Sequence, residues 1–250
     1  MEKIKLALLG IPLGISLVLP GLSFGTVALL LKVYDRILAA IKNFNLRFLW
    51  PIGVGVAGGI LASSHLIAFI LANYHNLTYA FLMGLILVSV RVTLNEVEKF
   101  AKVDSLFVII GFFIAYYFGK ESLEHGMLIY LPISISLVIS GILSSSAMIL
   151  PGISGATMLI MLGIYDDVLK AVNTFDVRLL FFFAIGVGLG LILFSWLLTY
   201  LLKSYRSRVM LFLSGLIVGS ATMVVPTSIG VGEVILFCIG GALAYIGTNR

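Results

Sequence analysis

The chain has 250 residues, of which 61% are hydrophobic and only 11% charged, with a formal net charge of +5 and a mean hydropathy of +1.18. A soluble domain is about 45–50% apolar and about 25% charged, so this composition excludes a water-soluble enzyme and makes lipid the solvent. The lone Cys238 excludes an intrachain disulfide or a cysteine-based metal site. The Lys and Arg residues lie in short segments between apolar runs, where they orient a chain in a bilayer rather than bind nucleic acid.

Met1-Glu2-Lys3-Ile4-Lys5 and the apolar run behind it have the form of a signal peptide. No small-x-small cleavage site follows, and the run ends in Pro20-Gly21-Leu22-Ser23, a pattern that returns deep in the chain, so the segment is assigned to the mature fold. The apolar segments that follow one another are 4–19, 23–41, 48–72, 77–90 and 105–119, then 128–150, 154–172, 179–202, 209–225 and 234–248. Segment 4–19 would span about 24 Å as a helix against a hydrocarbon core of about 30 Å. It then meets Pro-Gly, and the next arm carries Lys32, Asp35 and Arg36. A short segment, a breaker and a half-polar arm predict a re-entrant helical hairpin; two ordinary spans joined by a tight turn are the alternative.

Pro20-Gly21-Leu22-Ser23-Phe24-Gly25-Thr26 returns as Pro151-Gly152-Ile153-Ser154-Gly155-Ala156-Thr157, an offset of 131 residues. At the same offset Gly10, Leu31, Tyr34-Asp35, Phe44, Arg47, Gly55 and Gly59 match Gly141, Leu162, Tyr165-Asp166, Phe175, Arg178, Gly186 and Gly190. Phe81-Leu82 and Gly84-Leu85-Ile86 match Phe212-Leu213 and Gly215-Leu216-Ile217. A gapless offset through several segments predicts a duplication: repeat one at 1–119, an external linker at 120–131 and repeat two at 132–250, in one integrated membrane domain. The predicted fold is an all-α polytopic membrane protein of two inverted-topology repeats, each a re-entrant hairpin plus three transmembrane helices. That arrangement puts 13 of the 16 basic residues on one side and only Lys120, Lys170 and Arg178 on the other. The positive-inside rule then makes both termini cytoplasmic, and an odd number of spans per repeat inverts the second.

Pro-Gly-x-Ser-x-x-Thr has a mechanical reading. Proline ends the incoming helix, glycine permits a tight turn and close backbone approach, and Ser23 and Ser154 sit where an N-cap belongs. Thr26 and Thr157 fall on the same first turn. A helix start carries free N–H groups and partial positive charge, so two such starts facing inward make an anion site of the kind expected in inverted-repeat transporters. The same motif could also serve only to turn the chain. Arg47 and Arg178 each follow a motif serine by 24 residues; they are expected to pair with Asp35 and Asp166 or to meet a phosphate near the surface. Tyr34-Asp35 and Tyr165-Asp166 are interfacial residues or a gate or proton site. His65, beside Ser63 and Ser64, is a functional candidate as an intramembrane histidine, with helix packing as the alternative. Ser144-Ser145-Ser146 is expected to line a polar cavity or a close helix contact. Arg91, Asn95 and Glu96 are expected to be solvated in a cytoplasmic loop. No metal site is expected.

At these residues the sequence resembles a known family. The paired Pro-Gly-x-Ser-x-x-Thr motifs, each followed by Leu-x-x-Tyr-Asp, together with Phe81-Leu82-x-Gly84-Leu85-Ile86 and its second copy at Phe212, resemble the undecaprenyl-phosphate (polyprenyl-phosphate) translocase family of PopT type, formerly a membrane family of unknown function. The resemblance covers nearly the whole chain. Family members usually read Pro-Gly-x-Ser-Gly-Gly-Thr; here Phe24 and Ala156 each replace one glycine, in different halves. The resemblance implies a multi-pass transporter of the cell membrane, without a cofactor, that returns the polyprenyl-phosphate carrier lipid to the cytoplasmic leaflet. Alternating access to one central site would use Gly21, Ser23, Gly25, Thr26, Gly152, Ser154, Gly155 and Thr157 for the headgroup, with Arg47 and Arg178 at the entrances and Tyr34, Asp35, Tyr165, Asp166 and His65 as gating or proton-linked groups. The alternatives are another anion or lipid transporter, or a membrane undecaprenyl-pyrophosphate phosphatase. The phosphatase chemistry needs an arginine beside the motif serine and a pair of glutamates on a nearby helix. Here Phe24 and Gly155 follow the serines, and no glutamate lies between Glu2 and Glu96 or between Glu124 and Glu233. The oligomeric state is not specified.

Overall fold

The computed structural model describes residues 2–98, 101–119 and 131–248, and those residues form helices and turns with no strand among them. The expected linker 120–131 lies outside them apart from Leu131, as do Lys99, Lys120 and Arg250 of the charge pattern. The helices in chain order are α1 (Glu2–Val18), α2 (Phe24–Leu30), α3 (Tyr34–Lys42), α4 (Leu46–Asn73), α5 (His75–Leu94), α6 (Ser105–Gly119), α7 (Ile133–Ile149), α8 (Gly155–Met161), α9 (Tyr165–Asn173), α10 (Val177–Ser220) and α11 (Val231–Thr248). Helices α4, α5 and α11 and the run Val177–Val224 are long and apolar enough to cross a membrane, while α6 and α7 are apolar but shorter. Leu61, Phe181, Trp196 and Ile235 on the outer faces are each more than half exposed. Water tolerates no such continuous apolar surface on a monomer; the chain is a multi-pass helical membrane protein.

Helix bounds recur at the sequence offset. Adding 131 to α1, α2 and α3 gives the bounds of α7, α8 and α9, and adding it to Leu46 gives Val177, where α10 starts. Tyr74, between α4 and α5, has φ −133° and ψ 42°; Tyr205, inside α10, has φ −137° and ψ 40°. The second break therefore divides the 44 residues of α10 where the first divides α4 from α5.

The arms 23–41 and 154–172 are not single helices. In the first, Lys32 takes a left-handed φ of 55°, its N–H donates to the Leu29 carbonyl, and the Val33 N–H donates to Ala28. Gly163 at φ 73° repeats this with Ile160, and the Ile164 N–H with Leu159. This is the Schellman stop, which satisfies the last carbonyls of a helix. It ends α2 and α8 after seven residues. Helices α3 and α9 then run on as separate amphipathic pieces, and end in the same stop at Phe44 and Phe175, both at φ 50°. The side chains of Asn45 and Asp176 next cap the long helices, accepting from Phe48 N–H and from Arg178 and Leu179 N–H respectively.

Glycines set the packing of the long helices. A side chain at Gly55 would strike the Ala7 carbonyl, and one at Gly186 the Val138 carbonyl. Helix α1 thus lies backbone to backbone on α4, and α7 on α10, as small residues permit in membranes. Gly111 of α6 meets the Phe212 carbonyl and Gly240 of α11 meets that of Phe81, so each late helix packs on a helix of the other half. The core between them holds Leu13, Leu38, Leu82, Ile86, Leu213, Leu216 and Ile217.

Candidate functional site

Each Pro-Gly turn follows a helix that stops just short of it. Helix α1 ends at Val18 and α7 at Ile149; Gly21 and Gly152 then take φ of 72° and 81°. Only glycine occupies that region without strain, so the turn chemistry expected from the sequence is what the backbone adopts. The two turns meet. They line one cavity of about 850 Å³ together with Ser16, Ser144, Ser145, Tyr79, Phe183 and Met223. Of the expected headgroup residues, Gly21, Ser23, Gly152, Ser154, Gly155 and Thr157 line it. Among the described residues, no Asp, Glu, Lys, Arg or His lines this cavity. Its polar surface comes from hydroxyls and backbone groups, which donate to an anion without adding charge.

The two motifs hold different positions. The Gly152 N–H donates to Ser23 Oγ at 2.8 Å and the Thr26 N–H donates to the same oxygen at 3.2 Å, while the Ser23 and Thr26 hydroxyls lie 3.0 Å apart. Ser23 is thus the N-cap of α2 and a tie between the turns. Ser154 is exposed and makes no side-chain cap bond for α8. Thr26 is 1% exposed and does not reach the cavity. Nor does Gly25 face a ligand: a side chain there would meet the Ile149 carbonyl and the Pro151 nitrogen, so its missing Cβ serves contact between the two turns.

The Tyr-Asp elements differ in the same way. Tyr34 is buried, and its hydroxyl donates to the Ile149 carbonyl at 3.2 Å, at the end of α7. Tyr165 is 37% exposed. Asp35 pairs with Arg206 at 3.0 Å, not with Arg47; Asp166 has no ion pair among the described residues. Arg47 and Arg178 are exposed and likewise unpaired with a carboxylate, which corrects the expected salt bridges. His65 is exposed on the outer face of α4, away from the cavity. Glu96 and Arg91 are not simply solvated: Glu96 pairs with Arg206 at 3.0 Å, and the Arg91 guanidinium stacks 4.7 Å from the Tyr245 ring. The expected serine cluster lines the cavity through Ser144 and Ser145.

The cavity and the Arg206 cluster lie at opposite ends of the molecule. Helix α5 runs from His75 to Leu94, about 30 Å at 1.5 Å per residue. Tyr79 near its start lines the cavity, whereas Asn95 and Glu96 past its end line, with Lys32, Tyr34, Asp35 and Arg206, a second cavity of about 190 Å³. Sequence reasoning missed Arg206, which looked like one basic residue among many, and missed Tyr79 and Met223, which carry no motif.

Residues 13–235 match the model of the VCA0040-like family, described as undecaprenyl phosphate translocase-like. A polyprenyl-phosphate transporter of Vibrio cholerae serotype O1 (strain ATCC 39315 / El Tor Inaba N16961) is 35% identical over 247 residues, covering 90% of this chain and 79% of that protein. A polyprenyl-phosphate transporter of Staphylococcus aureus (strain NCTC 8325 / PS 47) is 31% identical over 240 residues, covering 87% and 84%. No solved structure matches the chain. With two Pro-Gly-x-Ser-x-x-Thr turns on one cavity and a match over most of its length, the chain belongs to the undecaprenyl phosphate translocase-like family.

Proposed function

We propose that this protein carries polyprenyl phosphate between the leaflets of the cell membrane, exposing one central cavity alternately to its two ends. The observation that carries this reading is the convergence of both Pro-Gly turns, 131 residues apart, on a cavity whose described lining has hydroxyls and amides but no formal charge. A bare phosphate in hydrocarbon is prohibitive, and the polyprenyl tail has no such difficulty, so only the headgroup needs a polar path. Ser23, Ser154 and Thr157, with the backbone of Gly21, Gly152 and Gly155, replace its lost hydration. A neutral receptor holds an anion firmly enough to admit it and weakly enough to release it, the condition any conducting site must meet.

The halves 1–119 and 132–250 are two repeats of inverted topology, each beginning with a re-entrant hairpin made of α1 to α3 or α7 to α9. The matching bounds and backbone angles support the repeat. The end with Glu96 and Arg206 is cytoplasmic, as are both termini, and the cavity of this structure faces outward. Arg47 and Arg178, exposed at the starts of α4 and α10, draw the headgroup toward the two entrances. Asp35 and Asp166 act as gating groups through α3 and α9. The protein is a transporter rather than a phosphatase: Phe24 and Gly155 stand where that enzyme would need arginine.

The test is reconstitution in vesicles with labelled polyprenyl phosphate in one leaflet. Protein-dependent appearance of headgroup in the other leaflet is expected, without release of inorganic phosphate from the pyrophosphate lipid. Phosphate release with no leaflet exchange would replace this reading by the enzyme.

A further inference from the structure

We propose that Arg206 is the latch that closes the Glu96 end, and that His75 takes its place at the other end when the cavity turns over. This rests on the alternating exposure set out above and names the groups that hold its two states. Arg206 follows Tyr205, the non-helical residue inside α10. Its Nη2 reaches Asp35 Oδ2 at 3.0 Å and Glu96 Oε2 at 3.0 Å, and its Nε donates to the same Glu96 oxygen at 3.1 Å. One planar guanidinium thus ties α3 to the segment after α5 and to α10, which a point charge would do less well. Arg206 and its two carboxylates are each about half exposed. Exposed ion pairs are weak, which suits a contact that must break in every cycle and does not suit a structural clamp.

The other half carries the same acid and no latch. At the offset of 131, Asp35 becomes Asp166, Tyr205 corresponds to Tyr74, and Arg206 corresponds to His75. Helix α3 packs on α10, while α9 makes no comparable packing on α5 among the described residues. His75 instead stacks on the Tyr79 ring, with 3.9 Å between centroids, at the end where the large cavity lies. If the hairpins exchange places, α9 docks on the start of α5, Asp166 meets His75, and Arg206 is released from Asp35. Arg206 and His75 are positioning residues: they set which end is shut and need not touch the headgroup.

Cysteine pairs test this in a Cys238→Ser background, with the protein in vesicles. The Arg206–Asp35 contact is made by side-chain tips and a direct disulfide needs Cα atoms within about 7 Å, so a short bifunctional thiol reagent supplies the cross-link that reports docking. Asp35→Cys with Arg206→Cys should cross-link readily. His75→Cys with Asp166→Cys should cross-link more slowly, and adding Arg206→Gln should speed that second reaction several-fold, whereas Arg206→Lys should have a smaller effect. A 35–206 cross-link without any 75–166 cross-link would overturn the proposal, as would a 75–166 rate indifferent to Arg206→Gln. Should the Arg206→Gln chain not fold, the 75–166 pair with Arg206 intact decides alone. These readouts involve no lipid substrate. Cross-links as expected with no leaflet exchange of polyprenyl phosphate would therefore sink the transport reading and leave the latch, and exchange without the 75–166 cross-link would do the reverse.

Discussion

Helices α2 and α3 are buried in the core whereas α8 and α9 are largely exposed, although the two pairs have matching bounds. In α2, Gly25 to Leu29 are all buried, and the helix packs against α5, α7 and α11; in α8 only Leu159 is buried. Helix α3 buries Tyr34, Ile37, Leu38 and Ala40, against Ala171 alone in α9. The local stops, the Pro-Gly turns and the caps at Asn45 and Asp176 are set by local sequence and are shared; burial is set by what each arm meets, and is not. In the alternation proposed above, these two positions of similar pieces would be the two states of one bistable element.

The comparison breaks most visibly at the turn glycines. Gly152→Ala should be far worse than Gly21→Ala, because both force alanine to a positive φ but the new methyl meets the Leu216 carbonyl in one case and a Val224 side-chain methyl at 2.8 Å in the other. We expect a loss of about 3 kcal/mol or more for Gly152→Ala and about 1–2 for Gly21→Ala, read as melting temperature in detergent. Equal losses would mean that the turns are equally confined.

Ser23→Ala should destabilise by about 2 kcal/mol, since it strips an acceptor from both Gly152 N–H and Thr26 N–H. Ser154→Ala should leave stability within about 0.5 kcal/mol yet weaken lipid-phosphate binding tenfold or more, the worth of about 1.5–3 kcal/mol for a hydrogen bond to a charged group. Melting and binding measured on both variants would show this crossing; a double mutant that binds and transports normally would reduce the motif to a turn.

Tyr34→Phe removes the donor to the Ile149 carbonyl and should cost about 1 kcal/mol, whereas Tyr165→Phe should not register in the same melt. The smallest effect on folding is expected at the arginines. Arg47→Gln and Arg178→Gln should each change stability by less than about 0.5 kcal/mol. Arg178→Gln should slow capture from the outer leaflet more than Arg47→Gln, in low salt and less so in high salt. Loss of folded protein in both would restore a structural role to them.

The hydropathy of the chain made the class legible, and the 131-residue offset made the internal correspondence legible down to the Pro-Gly turns. The stop inside each arm was also written in the second half, where Gly163 sits between apolar residues as a left-handed cap; Lys32 hid it in the first. The tie from Ser23 to Gly152 was not legible, since it joins residues 129 apart whose meeting depends on docking. Nor could Arg206 be picked out, because a positive charge near a membrane surface has an ordinary explanation and its carboxylate partners lie 171 and 110 residues away. Nearly repeated sequences cannot declare which of the two arms is buried, since burial depends on what each meets.

The lining of the large cavity, uncharged among the described residues, has an electrical consequence. Because the described lining contributes no charge of its own, the headgroup's charge enters the membrane field uncompensated there. Each elementary charge carried against 100 mV requires about 2.3 kcal/mol, so a doubly ionised headgroup moving toward a negative interior faces twice the opposing work of a singly ionised one. The protonation state in which the phosphate boards then sets the headgroup's share of the electrical work of each crossing.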